Sequence, residues 1–219
     1  MFETCFPQVT TLTDNAQLRQ AFGTESVTLD LGAALTVCGT IALGQAVVFR
    51  GTCSLGDGTR VDNGCILKDI DLGAGNRVRP FSILQNLTAG DRNLFGPFCF
   101  IRDDCTVAND AILGAHVEAA RSHFGSGVKI SHRAFVGDAE VADEAIIGAG
   151  VVFCNWDGSM RQSTTVGAGA TIGSGTLLVP PLAVGANAVI AAGSTVTRDV
   201  PEGAKIIQRR GPSTSSGAD

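Results

Sequence analysis

The sequence predicts an all-β fold, a left-handed parallel β-helix made of hexapeptide repeats, with a short helical cap at its N-terminus and an arm at its C-terminus. Three observations predict it. Aliphatic or small apolar residues recur at intervals of six through most of the chain, from Leu31 to Val196, broken by a few five-residue steps. Between Ile130 and Gly158 most of them are followed by Gly or Ala. There are 28 glycines and no tyrosine, without the triplet period of collagen. An amphipathic α-helix repeats at three and four, and an ordinary strand alternates only over a short run. A phase of six kept over most of a chain is that of a solenoid. Three hexads make one coil, the aliphatic residues turn inward, and Gly, Asn or Asp turns the corners.

Residues 1–26 lie outside the repeat. Asp14 is placed to cap a short helix over Asn15–Phe22, closed by Gly23, which makes a terminal cap for a core that is otherwise open at its end. The solenoid is expected over residues 27–203. Its period runs Leu31, Val37, Leu43, Phe49, Leu55, Val61 and Leu67, steps by five to Leu72 and again from Leu84 to Ala89, and continues to Leu113. It resumes at Phe124, Ile130 and Val136, and after Phe153 at Val166. Two interruptions are expected to leave the scaffold as loops, Glu118 to His123 and Cys154 to Thr165, where binding groups can project from rigid coils. Residues 204–219 read as a C-terminal arm that becomes disordered.

Composition excludes several classes. A net charge of −5 gives no footprint for nucleic acid, and no apolar run is long enough for a membrane span. The N-terminus lacks a basic region before an apolar core, so a cytoplasmic protein is expected. Seven cysteines without C-x-x-C spacing fit reduced thiols; Cys53, Cys65, Cys99 and Cys105 each fall four residues after a repeat aliphatic and read as small core fillers. The run Leu55-Gly-Asp-Gly-Thr-Arg-Val61 resembles a phosphate-binding loop but stays in phase with the hexads. Three histidines, His116, His123 and His132, do not have the spacing of a carbonic-anhydrase metal site on this fold, and no metal is expected.

Chemistry-bearing residues concentrate in Ile130 to Gly158. His132, two residues after an inward position and near a corner, is the best candidate for a general base; a structural, hydrogen-bonded histidine is the other reading of the residue taken alone. Gly96-Pro-Phe-Cys-Phe-Ile-Arg102, Val117-Glu118, His132, Gly137-Asp-Ala-Glu140, Ile147-Gly-Ala-Gly150, Cys154-Asn-Trp-Asp-Gly158 and Ala191 to Val200 together resemble the acetyltransferase half of bacterial bifunctional N-acetylglucosamine-1-phosphate uridyltransferase/glucosamine-1-phosphate acetyltransferase, within the hexapeptide-repeat acyltransferases. The resemblance covers roughly residues 30 to 210 and is specific from Gly96 onward; the uridyltransferase half has no counterpart in this sequence.

The resemblance implies acetyl-CoA as co-substrate, a sugar acceptor and a homotrimer with sites between neighbours. It implies His132 as the base that takes the acceptor's proton, with Asn155 and Trp156 holding acceptor and acetyl donor. It places coenzyme A against Ala149, Ser174, Ala192 and Arg209, and the acceptor's phosphate against Arg102. The acceptor side departs from the family. A lysine is Ala120 here, a sugar-binding tyrosine is Phe135, an asparagine is Ile146, and a lysine of the excursion is Arg161. Phe135 and Ile146 each remove a hydrogen-bond partner from a polar substrate. The expectation is an acyltransferase, most simply an N-acetyltransferase, with an intact donor site and an altered acceptor pocket. The alternative is a non-catalytic scaffold or coenzyme A/sugar-binding module whose acceptor site is lost.

Overall fold

A computed structural model describes residues 1–208, and these form a left-handed parallel β-helix of about 10 coils with one short helix. Each coil has three faces. Leu55, Leu72, Val107, Phe124, Val141 and Val166 stack along the inside of the first face; Val61, Val78, Phe95, Leu113, Ile130 and Ile147 along the second; Phe49, Leu67, Leu84, Ile101, Val136 and Phe153 along the third, all of them buried. Successive coils pair in parallel register, Arg60 with Arg77 and Phe100 with Glu118 for example. Each coil's apolar stripe is covered by its neighbours, so the core is a continuous column rather than a globule. Polar groups turned inward are paired along the same axis. Asn76 donates to the carbonyls of Gly73 and Gly90 and accepts from the Asn93 amide, while Asn93 in turn accepts from Ala111.

The five-residue steps share one corner and one turn geometry. All four five-residue steps, into Leu72, Ala89, Phe124 and Val141, fall at one corner, between the third and first faces. Each turns on a single left-handed residue: Asp69, Asn86, Arg121 and Asp138, with φ of 49°, 49°, 49° and 53°. The six-residue step from Ile101 to Val107 at that corner has two in succession, Asp103 and Asp104. Asp and Asn tolerate this conformation because their short polar side chains bond locally; Arg121 adopts it under the ion pairs described below.

Several expectations from sequence are corrected. Leu31 does not begin the inward series: it is fully exposed in a turn, and the inward place before Phe49 belongs to Leu29. The interval Glu118 to His123 is not a loop. Glu118–Ala120 and His123–Phe124 are strands in register with the coils on either side, and the buried Ala119 occupies the aliphatic position, too small to mark the period. The N-terminal segment is more than a helical cap. Strand β1, Phe2–Leu12, pairs antiparallel with Ala34–Leu43, and helix α1, Asn15–Phe22, follows it, capped by Asp14 and closed by Gly23 at φ 65° as its residues suggest. Phe6, Leu18 and Phe22 are buried there against the core of the first coils. At the other end Lys205–Ile206 pairs with Val189–Ile190, so the ladder enters the segment read as an arm. Within Cys154 to Thr165 the chain does leave the scaffold, over residues 155–163 at the corner between the third and first faces; Cys154 N still bonds to Leu178 O, and Thr164 and Thr165 are already in register with Ala139 and Glu140.

Candidate functional site

His132 stands at the corner between the second and third faces. It ends the strand Lys129–His132, in register with Ala115, and is exposed. It follows the inward Ile130 by two positions. Ala149, Ser174 and Ala192 follow Ile147, Ile172 and Ile190 by the same offset, so all four share one edge on successive coils. Backbone bonds tie that edge together: Gly150 N to Arg133 O (2.6 Å), Gly175 N to Ala149 O (2.8 Å) and Gly193 N to Ser174 O (2.8 Å). The close stacking depends on glycine. A Cβ on Gly148 would lie 2.6 Å from the Ser174 nitrogen, and one on Gly173 2.4 Å from that of Ala192. Above His132 the edge is therefore an exposed strip of small side chains and backbone. On the coils below, Phe81, Phe98 and His116 stack along the same edge with ring centroids 5.4 and 5.1 Å apart, a ladder not foreseen from sequence.

A charged cluster occupies the corner at the far end of the third face. Arg102 ends the strand Phe100–Arg102 and donates from Nη2 to Glu118 (2.8 Å) and from Nη1 to Asp103. Arg121 donates from Nε and Nη2 to Asp138 (2.7 and 3.1 Å) and from Nη1 to Asp103 (2.8 Å). Asp138 also accepts from the Asn155 amide. Desolvation pushes the Asp138 carboxyl up, but the bonds from Arg121 and Asn155 and the charges of Arg121 and Arg161 outweigh it and hold it below the usual range. Hydrogen bonds to Glu118 and to Asp138 respectively raise the Arg102 and Arg121 guanidiniums further.

The excursion after Asn155 is a small hairpin. Gln162 N bonds to Asn155 O (2.8 Å), and Trp156 and Arg161 form an antiparallel bridge. Asp157 closes its tip, accepting from Gln162 Nε2, Met160 N, and the Ser159 N and Oγ, and these bonds, that of Gln162 first, hold its carboxyl far below the ordinary range. Trp156 is exposed on the hairpin.

The sequence-derived candidates thus fall in two groups at the two ends of the third face. His132, Ala149, Ser174 and Ala192 form one; Arg102, Asn155, Trp156 and Arg161 form the other. Phe135 faces outward on the third face between them, and Ile146 outward on the second. Arg209 lies outside the described residues. Ala120 is fully buried, and Arg121 does not stand in for the missing lysine, since it turns into Asp103 and Asp138. Arg121 is open from sequence to a phosphate contact beside Ala120, but its carboxylate partners Asp103 and Asp138 are not foreseen. Their signal is the coil spacing: opposite charges 18 and 17 positions apart at a shared corner, with Asn155 another 17 beyond.

No protein-family model matches the chain. Among curated proteins, Bifunctional protein GlmU of Alkalilimnicola ehrlichii is 42% identical over 152 residues, 69% of this chain and 33% of that protein. Bifunctional protein GlmU of a Jannaschia species is 41% identical over 109 residues, 50% and 24%. The chain spans about a quarter to a third of the length of these relatives. A solved LpxA structure from Acinetobacter baumannii is similar at 15% identity with a TM-score of 0.46, over 82% of this chain and 68% of that one. No helix among the described residues is long and apolar enough to cross a membrane.

Proposed function

Because the chain is a homologue of the C-terminal acetyltransferase part of the bifunctional GlmU proteins, we propose that its solenoid, residues 27–203, is an acyltransferase that moves an acetyl group from acetyl-CoA to an amine on a sugar acceptor. The observation that carries the proposal is the single edge shared by His132, Ala149, Ser174 and Ala192, with small side chains and accessible backbone stacked above one exposed histidine. A pantetheine arm laid along that strip brings its thioester down to His132, and backbone amides serve the arm and the developing oxyanion. The amine nitrogen attacks the thioester carbonyl, His132 takes the proton the nitrogen loses, and the carbon–sulfur bond breaks to release the thiolate, which leaves as the free thiol on protonation. A positioned general base of this kind contributes on the order of 10²–10⁴ in rate.

Asn155, Trp156 and Arg161 hold the acceptor and the acetyl donor from the other end of the third face. Asp138 fixes the Asn155 amide: a carboxylate only accepts, so it takes the Nδ2 donor and leaves Oδ1 turned away, free to accept from the amine. The two groups sit on different corners of one chain, which favours a homotrimer in which the His132 corner of one subunit meets the hairpin corner of the next. Arg209 is assigned to the phosphates of coenzyme A by the resemblance alone. Cytoplasmic residence and independence of metals belong to the same proposal.

The test is release of free thiol from acetyl-CoA with a panel of amino sugars, beside His132→Ala. Turnover that falls at least about a hundredfold in the variant, with matching gel filtration, supports the proposal. Coenzyme A binding without turnover of any acceptor would favour the non-catalytic binding module, and a monomer in sedimentation would remove the shared site.

A further inference from the structure

Charge at the hairpin corner bears on which acceptor the site accepts. The guanidinium nitrogens of Arg102 and Arg121 are all engaged by the chain's own carboxylates. Arg102 gives Nε and Nη2 to Glu118 Oε1 at 3.3 and 2.8 Å and Nη1 to Asp103; Arg121 gives Nε and Nη2 to Asp138 and Nη1 to Asp103. These two cations face three carboxylates; a third, Arg161, stands on the hairpin, where its charge acts on Asp138. Asp103 is the residue common to both, bridging them across one coil.

The rest of the row offers no further cation. Arg102 is in register with Ala120 and Ala120 with Gly137, and a Cβ on Gly137 would lie 2.5 Å from Asn155 Nδ2 and 2.8 Å from the end of the Phe135 ring, so these two side chains cover the place where a longer side chain would emerge. The neighbouring outward row is Phe100, Glu118 and Phe135: an acid between two aromatic rings, with the Arg102 guanidinium 5.6 Å from the Phe100 ring centroid. A phosphate brought to Arg102 either displaces Glu118 or Asp103 or takes the two terminal N–H groups they leave over, and in both cases it lies beside those carboxylates, a like-charge contact in a partly desolvated corner.

We propose that the acceptor side of this site takes an amino sugar that carries no phosphate at its Arg102 end, with Asp103 setting this selectivity by closing both arginines to anions. The proposal rests on the acyl-transfer reading above. It assigns the aromatic faces of Phe100 and Phe135 to the apolar face of the sugar ring, and Glu118 to its hydroxyls or its ammonium group.

The test follows the Nε–H resonances of Arg102 and Arg121 in ¹⁵N-labelled protein while inorganic phosphate is added, and compares glucosamine with glucosamine 1-phosphate as acceptors in the thiol assay. In the unaltered protein the two resonances are expected to show no saturable shift, and glucosamine 1-phosphate to be used no better than glucosamine. Asp103→Asn, at a half-exposed position that keeps its volume, is expected to open a saturable phosphate response at both arginines. A saturable response in the unaltered protein, or a preference of about tenfold or more for the phosphorylated acceptor, overturns the proposal. Silence in both proteins overturns the role given to Asp103. Failure to bind acetyl-CoA defeats the acyl-transfer reading separately, because the phosphate titration reports on the arginines without turnover.

Discussion

Asn155 donates its side-chain amide to Asp138, the left-handed corner residue one coil earlier, and Asp138 in turn holds Arg121 through both of its oxygens. The excursion is thereby anchored to the rigid scaffold at its first residue. Asp138→Ala is expected to cost about 1–3 kcal/mol of stability, since it leaves Arg121 paired only with Asp103 and frees Asn155. Asp138→Asn keeps an acceptor for Asn155 and loses the charge opposite Arg121, so it is expected to cost less. Chemical denaturation orders the two variants, and the thiol assay is expected to show a larger loss for the alanine than its stability alone explains.

The folded carboxyl of Asp157 is held below its unfolded value of about 3.9, so the stability it gives the hairpin is present above that pH and is lost as the pH falls toward the folded value. Trp156 is the only tryptophan and sits on this hairpin. Its fluorescence is expected to stay constant from neutrality down to about pH 4 and to change only below. Asp157→Ala is expected to change the emission already at pH 7. A transition centred near pH 6 in the unaltered protein would contradict the assignment of Asp157 as the clasp.

Much of this fold is legible in the sequence because each coil repeats the same local physics. The period from Val37 onward, the capped helix at Asn15–Phe22 and the excursion after Cys154 all stand where the residues put them. The failures share a cause. Ala119 keeps the inward position with a side chain too small to be seen as part of an aliphatic series, while Leu31 matches the series and points to solvent. Strand β1 has no periodic signal, and only its antiparallel partner at Ala34–Leu43 makes it a strand. At the candidate site, offsets from the inward residue are enough to line up His132, Ala149, Ser174 and Ala192. The Arg102, Asp103, Arg121 and Asp138 network needs the register of adjacent coils, which requires knowing where the five-residue steps fall.

All seven cysteines are free thiols. Cys53, Cys65, Cys99 and Cys105 are buried in the column, and burial pushes the Cys65 thiol up to about 11 and that of Cys99 to about 12. A thiol must be ionised and reachable to react. Native protein treated with a disulfide reagent near pH 8 is therefore expected to react promptly at the exposed Cys5 and Cys38, more slowly at Cys154, and at the buried four only after denaturant is added. Prompt loss of more than three thiols in the native state would show that the coils open.

Thr164 restarts the first face after the hairpin, in register with Ala139 on one side and Leu182 on the other. It is buried, and its hydroxyl is, among the described residues, the one buried side-chain polar atom with no hydrogen-bond partner. A hydroxyl taken from water without a replacement bond costs about 1–3 kcal/mol, and a methyl of the same size costs nothing of the kind. Valine keeps the β-branched shape that a strand favours. Thr164→Val is accordingly expected to stabilise the protein by about 1 kcal/mol, seen as a rise of about 2–4 °C in Tm. Thr164→Ser keeps the unpaired hydroxyl and loses a packed methyl, so it is expected to lower Tm. The opposite order would mean that the Thr164 hydroxyl is satisfied in solution, and with it the restart of the ladder after the hairpin would rest on a polar contact rather than on packing.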